Sequence, residues 1–136
     1  MADLFDNPMG LMGFEFVEFD ELLRTSDVIS LHVRLSARTE RMIGSRELWL
    51  MRKTALLLNT ARGGLIDEAA LIEALSAGRI AGAGLDVFST EPLPPGLALT
   101  TLNNVVLTPH SAGVTPEALE AGLQMAVTNA LSFFRT

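Results

Sequence analysis

A chain of 136 residues can bury one substantial core but scarcely two. With 49% hydrophobic and 19% charged residues, its composition is that of a globular chain, not a disordered one. A net charge of −6 argues against nucleic acid, which calls for a basic patch. The absence of cysteine excludes disulfides and thiolate metal ligands, and two histidines are too few for a histidine-rich metal site.

Residues 1–12 carry two acids and no basic residue, which does not fit a signal peptide. No apolar stretch approaches a bilayer span and no basic amphipathic face is present, so no membrane contact is expected and a cytosolic location is the default. Residues 14–17 read as a first strand, and the stretch around Glu21 to Arg24 as a short helix. Val28–Leu31 reads as a strand ending at His32. Ser45 is placed to cap a helix running through Met51. Residues 55–59 form the next apolar strand. Asp67 can cap a helix with Leu71, Ile72 and Leu75 at helical spacing, and Gly78 can end it. Residues 80–87 contain a further strand, and residues 105–108 another. Thr115-Pro116 opens a last helix by the cap-then-proline signal, with Leu119, Leu123, Val127, Ala130 and Phe134 along its inner side.

Strands and helices in alternation, with apolar strands, predict an α/β fold: a parallel sheet covered on both faces. In such sheets ligands sit at the carboxyl ends of the strands. His32, Arg62, Asp86 and His110 all fall just after apolar strands, and that common address points to one site. Arg62 reads either as a surface arginine in a tight turn or as a planar fork of donors for a carboxylate. Gly63 and Gly64 favour the second reading, since paired glycines permit positive φ and close approach to a ligand. Asp86 is either a strand-end acid bonding backbone amides or an acceptor for a ligand amide. Glu91, before Pro92, is a solvated turn acid unless a histidine partners it, and His110 is structural or an acid–base group. His32 reads as structural or cofactor-adjacent. Arg34, Arg38, Arg41, Arg46 and Arg52 read as scattered solvated charges, and the glycines of residues 80–85 as spacers for helix–sheet packing. No G-x-G-x-x-G or other phosphate loop, and no nucleophile elbow, occurs in the sequence.

Four segments taken together resemble the D-isomer-specific 2-hydroxyacid dehydrogenases. They are Ser26-Asp27-Val28-Ile29-Ser30-Leu31-His32-Val33, Leu57-Leu58-Asn59-Thr60-Ala61-Arg62-Gly63-Gly64, the run Gly82-Ala83-Gly84-Leu85-Asp86 through Glu91-Pro92, and Asn104-Val105-Val106-Leu107-Thr108-Pro109-His110. The resemblance covers nearly the whole chain, in order. It implies a Rossmann-type doubly wound sheet that interconverts a small 2-keto acid and a D-2-hydroxy acid with NAD, or with NADP. On that resemblance Arg62 would bind the substrate carboxylate and polarise its carbonyl. His110 would be the general acid and base. Glu91 would hydrogen-bond His110, orient its ring and favour the imidazolium. Asp86 would contact the nicotinamide amide, and Val33, Thr60, Ala61, Arg62 and the segment His110-Ser111-Ala112-Gly113 would line the cofactor.

Arg34 stands where family members usually carry proline. The family's glycine-rich loop, first two strands, ribose-binding acid and most of its substrate domain would lie upstream of the matched part, Met1 falling about where the ribose acid would be. Residues 1–136 are therefore expected to be a partial dinucleotide-binding domain. It should keep a four-stranded parallel half-sheet between Val28 and Thr108, with the strand at residues 14–17 detached or re-paired. An open strand edge is a template for self-association, so a homo-oligomer is expected. The alternative is a non-catalytic oligomerisation or protein-binding module that kept the fold.

Overall fold

The computed structural model describes residues 15–134. Four short strands, β1 (Val28–Leu31), β2 (Leu56–Asn59), β3 (Gly82–Leu85) and β4 (Val105–Leu107), form one parallel sheet in the order β1-β2-β3-β4. This is the expected half-sheet. α1 (Phe19–Thr25) precedes β1; α2 (Ser45–Leu50) and α3 (Glu68–Ser76) make the crossovers into β2 and β3; a single 3₁₀ turn, Ala98–Thr101, lies between β3 and β4; and α4 (Pro116–Phe134) follows the sheet. Phe14 lies outside the described residues, and residues 15–17 form no strand.

The register explains which side chains reach the core. Ile29, Leu57 and Ala83 are aligned across the sheet, as are Leu31, Asn59, Leu85 and, on β4, Leu107. These positions share one face because side chains alternate along a strand. They pack with Leu48 of α2, Leu71 and Leu75 of α3, and Ile43, Leu65, Ile80 and Leu99, all buried. The opposite face differs from expectation. Val28, Leu56 and Val106 are 54%, 43% and 68% exposed, so among the described residues the helices cover one face only. Apolar residues on both faces of a strand announce that both will be covered, but not by which segment. β1 pairs only with β2, so its outer edge is open among the described residues.

Local signals locate the helix ends. Asp67 caps α3 by accepting a hydrogen bond from the Ala70 N–H at 3.2 Å, and Gly78, with φ of 62°, follows its C-terminus. Ser45 is not the cap of α2. Gly44 takes that place, and its N–H donates to the Glu47 carboxylate at 3.1 Å, the backward half of a capping box. Two of the arginines read as scattered charges bridge elements instead. Arg46 donates to Asp20 of α1 at 2.5 Å and Arg52 to Asp27 at 2.8 Å. α4 departs most. No residue of it is buried, and Leu119, Leu123 and Val127 are more than half exposed. Its apolar stripe is real, but nothing among the described residues lies against it.

Candidate active site

The aligned residues Leu31, Asn59, Leu85 and Leu107 are the last of each strand. His32, the Arg62 turn, Asp86 and His110 therefore all emerge at one edge of the sheet. β2 and β4, which lead into Arg62 and His110, stand two strand spacings apart, roughly 10 Å.

Asn59, 1% exposed, builds the turn that carries Arg62. Its amide Nδ2 donates to the Arg62 carbonyl at 2.9 Å, and its Oδ1 accepts from the Ala61 N–H at 3.1 Å. The Arg62 guanidinium donates to the Ala61 carbonyl at 2.6 Å and has no carboxylate partner among the described residues. It borders a cavity of about 530 Å³ together with His32, Val33, Arg34, Leu35 and Ala61. His32 is tied back by a 2.8 Å hydrogen bond between its Nε2 and the Ser30 hydroxyl. Thr60 is exposed at the same edge.

Asp86, 3% exposed, organises the second half of the site. Its Oδ1 accepts from the Thr108 hydroxyl at 2.5 Å and the Ser111 N–H at 2.9 Å, and its Oδ2 from the Ala112 N–H at 2.9 Å. The Asp86 carbonyl accepts from the His110 N–H at 2.8 Å. Those four bonds hold His110 at φ 54°, a left-handed conformation that L-residues adopt at a cost. A carboxylate has about four acceptor positions, so these three donors leave one, on Oδ2.

Held in that way, the His110 ring places Nδ1 2.7 Å from Glu91 Oε2. Glu91 Oε1 accepts from the Phe88 N–H at 2.9 Å, and the Glu91–Pro92 bond is cis. An ionised carboxylate only accepts, so the proton of the Glu91–His110 bond sits on Nδ1. Nε2 makes no hydrogen bond to the described residues. Glu91, Thr108 and His110 line one side of a cavity of about 310 Å³ whose other walls are Phe88, Pro92, Leu93, Leu107 and Pro109. Ser111 and Ala112 are fixed by Asp86 through their amides. Gly113 is exposed, with open space where a side chain would stand.

The expected residues thus gather as two neighbouring groups on one edge, with no direct bond between Arg62 and His110. Gly63 differs from its expected role. Neither it nor Gly64 has positive φ, and the close approach at Gly63 is to the Phe88 and Ser89 backbone. Gly82 and Gly84 likewise make room for the Asn104 carbonyl and the Leu58 side chain, not for a helix. Asn59 and Thr108 received no role from the sequence. The buried polar side chain ending an otherwise apolar Leu-Leu-Leu-Asn strand was the available signal for Asn59.

Comparison with known proteins settles the lineage. Residues 5–112 match the model of the D-isomer specific 2-hydroxyacid dehydrogenase NAD binding domain. The chain belongs to that family. It is 47% identical over 124 residues to a glyoxylate reductase of Korarchaeum cryptofilum, covering 91% of this chain and 37% of the relative. With a D-3-phosphoglycerate dehydrogenase of Methanocaldococcus jannaschii it shares 50% identity over 111 residues, 81% of this chain and 21% of the relative. The structure of D-lactate dehydrogenase with NAD+ from Lactobacillus jensenii superposes with a TM-score of 0.88 at 34% identity, covering 96% of this chain and 43% of that one. The chain therefore spans about a third of the length of the glyoxylate reductase it matches, and the family's fold class, a Rossmann-type parallel sheet, is the one observed.

Within this dehydrogenase domain the two site acids are both held below the ordinary carboxylate range. For Asp86 the largest cause is the Thr108 hydroxyl, followed by the Ala112 amide, against burial. For Glu91 it is the hydrogen bond to His110, followed by the Phe88 amide. Each binds its proton more weakly folded than unfolded. Their contribution to stability is present above about pH 4, where unfolded carboxylates titrate, and is lost as pH falls through the lower folded values. The urea midpoint should hold from neutrality to mild acid and drop below about pH 4, less steeply in Asp86→Asn. A midpoint that stays flat down to about pH 3 would contradict these assignments.

Proposed function

We propose that this chain forms the nicotinamide-facing part of the dinucleotide-binding domain of a D-2-hydroxyacid dehydrogenase, which interconverts a small 2-keto acid and the corresponding D-2-hydroxy acid. The observation that carries the reading is the 2.7 Å contact between Glu91 and His110 Nδ1, which leaves Nε2 for proton exchange at the strand-end edge where Arg62, with no carboxylate partner among the described residues, also stands. Arg62 holds the substrate carboxylate with its fork of donors and draws electron density from the adjacent carbonyl. His110 delivers the proton from Nε2 to the carbonyl oxygen during reduction and takes it back during oxidation. Glu91 keeps the ring in the tautomer and orientation that this requires.

NAD, when bound, supplies or accepts the hydride. The donor set fits its nicotinamide end: Oδ2 of Asp86 has an acceptor position left, and Val33, Ala61 and Arg62 border the larger cavity, with Thr60, Ser111, Ala112 and Gly113 at the same edge. The acyclic imino acid reductase Bsp5, 41% identical, was solved with NADPH, so NADP stays an alternative. Pyrophosphate binding in this fold depends on backbone amides at a helix N-terminus beside a glycine-rich loop, and the sequence carries no such loop. The 136-residue chain by itself should therefore bind NADH weakly. A micromolar dissociation constant in a fluorescence titration would show that this view of cofactor binding is wrong.

The activity is tested by joining the chain to the upstream portion of a glyoxylate reductase relative. NADH-dependent reduction of 2-keto acids is expected. No turnover from the hybrid, while the intact relative is active in the same assay, would overturn the reading. A second reading, a non-catalytic association module derived from such an enzyme, would use the apolar stripe of α4 and the β1 edge, both uncovered among the described residues. Self-association through these surfaces is compatible with both readings and is measured by light scattering. An inactive hybrid with a folded, oligomeric chain would favour the second.

A further inference from the structure

Arg62 and His110 share no bond, yet their supports meet at one point. A methyl group built on Gly63 would lie 2.0 Å from the Phe88 carbonyl carbon, 2.1 Å from its oxygen and 2.5 Å from Ser89 N, far inside the roughly 3.5 Å at which carbon atoms touch. On one side of this contact stands the Arg62 turn. It is closed by Asn59 from below and by the bonds Leu65 N–H to the Arg62 carbonyl at 3.2 Å and Ile66 N–H to the Gly63 carbonyl at 3.1 Å. On the other side the Phe88 N–H grips Glu91 at 2.9 Å, and Glu91 grips His110. The Ser89 N–H is anchored separately on the Glu68 carboxylate of α3 at 3.4 Å.

We propose that Gly63 is a positioning residue: its lack of a side chain seats the Arg62 turn directly on the Phe88 and Ser89 backbone, and that seat fixes Arg62 relative to the Glu91–His110 pair. The inference rests on the roles of Arg62 and His110 given above. Gly64 has no comparable task. A methyl group there would meet only the movable tip of Leu35, at 3.0 Å. Gly63 has no positive φ, so alanine is barred there by the neighbouring backbone and not by its own conformation.

The test compares Gly63→Ala with Gly64→Ala in the 136-residue chain, following the Glu91 side-chain carboxyl by carbon NMR as pH is lowered. In the parent that carboxyl titrates below its ordinary range because of His110 and the Phe88 amide. In Gly63→Ala the Phe88 backbone must move, so the midpoint should rise toward the ordinary value; in Gly64→Ala it should stay. A folded Gly63→Ala with the parent's midpoint overturns the proposal, as does an equal rise in both variants. Should Gly63→Ala not fold, Glu91→Ala decides from the opposite side. Freeing the Phe88 N–H should loosen the seat and speed hydrogen exchange at the Leu65 and Ile66 amides roughly 2- to 10-fold, the worth of about one hydrogen bond. Unchanged exchange overturns the proposal. Neither readout needs turnover, so a failure here leaves the dehydrogenase reading to the hybrid assay, and an inactive hybrid leaves the Gly63 contact standing.

Discussion

Replacing His110 by alanine lowers the turnover of the hybrid dehydrogenase by about 10²- to 10⁴-fold, the range expected for loss of a general acid–base. The effect should fall on kcat more than on KM, because the proton moves in the transition state while Arg62 still holds the carboxylate. Glu91→Gln is the informative companion. It keeps one oxygen that can accept from Nδ1 but removes the negative charge beside the ring, so kcat should fall while KM, set by Arg62, stays near the parent's. The parent carboxylate uses one oxygen for Nδ1 and the other for the Phe88 amide; glutamine has a single oxygen, so one of these two bonds is lost in the variant. Full activity in His110→Ala would end the mechanism. An unchanged kcat in Glu91→Gln would end only the role given to Glu91.

Much of this geometry could be read from the sequence because it depends on local signals. Four apolar runs at βα spacing gave the sheet, and the Asp67 cap and Gly78 stop located α3. What escaped the sequence was set by segments far apart in the chain. Gly63 looked like a residue for positive φ or close approach to a ligand, because sequence shows that a side chain is missing but not what occupies its place. That neighbour, Phe88, is 25 residues away. Asp86 could be assigned to a strand end but not given three hydrogen-bond donors, two of them amides of a turn beyond β4. The stripe of α4 and the alternate face of the sheet were recognised as apolar, and burial was inferred. Periodicity identifies a face that favours cover and carries no information about its partner.

Arg62→Ala should lower kcat/KM of the hybrid by roughly 30- to several thousand-fold, the equivalent of the 2–5 kcal/mol lost when one partner of a desolvated, hydrogen-bonded charge pair is removed. Unlike His110→Ala, it should raise KM strongly, since the substrate carboxylate would enter the site with no fork to receive it. Arg62→Lys separates charge from shape. Lysine restores the positive charge as a point donor but cannot make two parallel bonds to a planar carboxylate, so partial rescue of KM with little rescue of kcat is expected. The turn itself should survive both changes, because Asn59 bonds the Arg62 carbonyl and the Ala61 N–H, not the guanidinium. Lysine performing as well as arginine would mean that only charge is used at this position. A KM unmoved by alanine would remove the carboxylate from Arg62 and leave the edge beyond β2 without its assigned ligand.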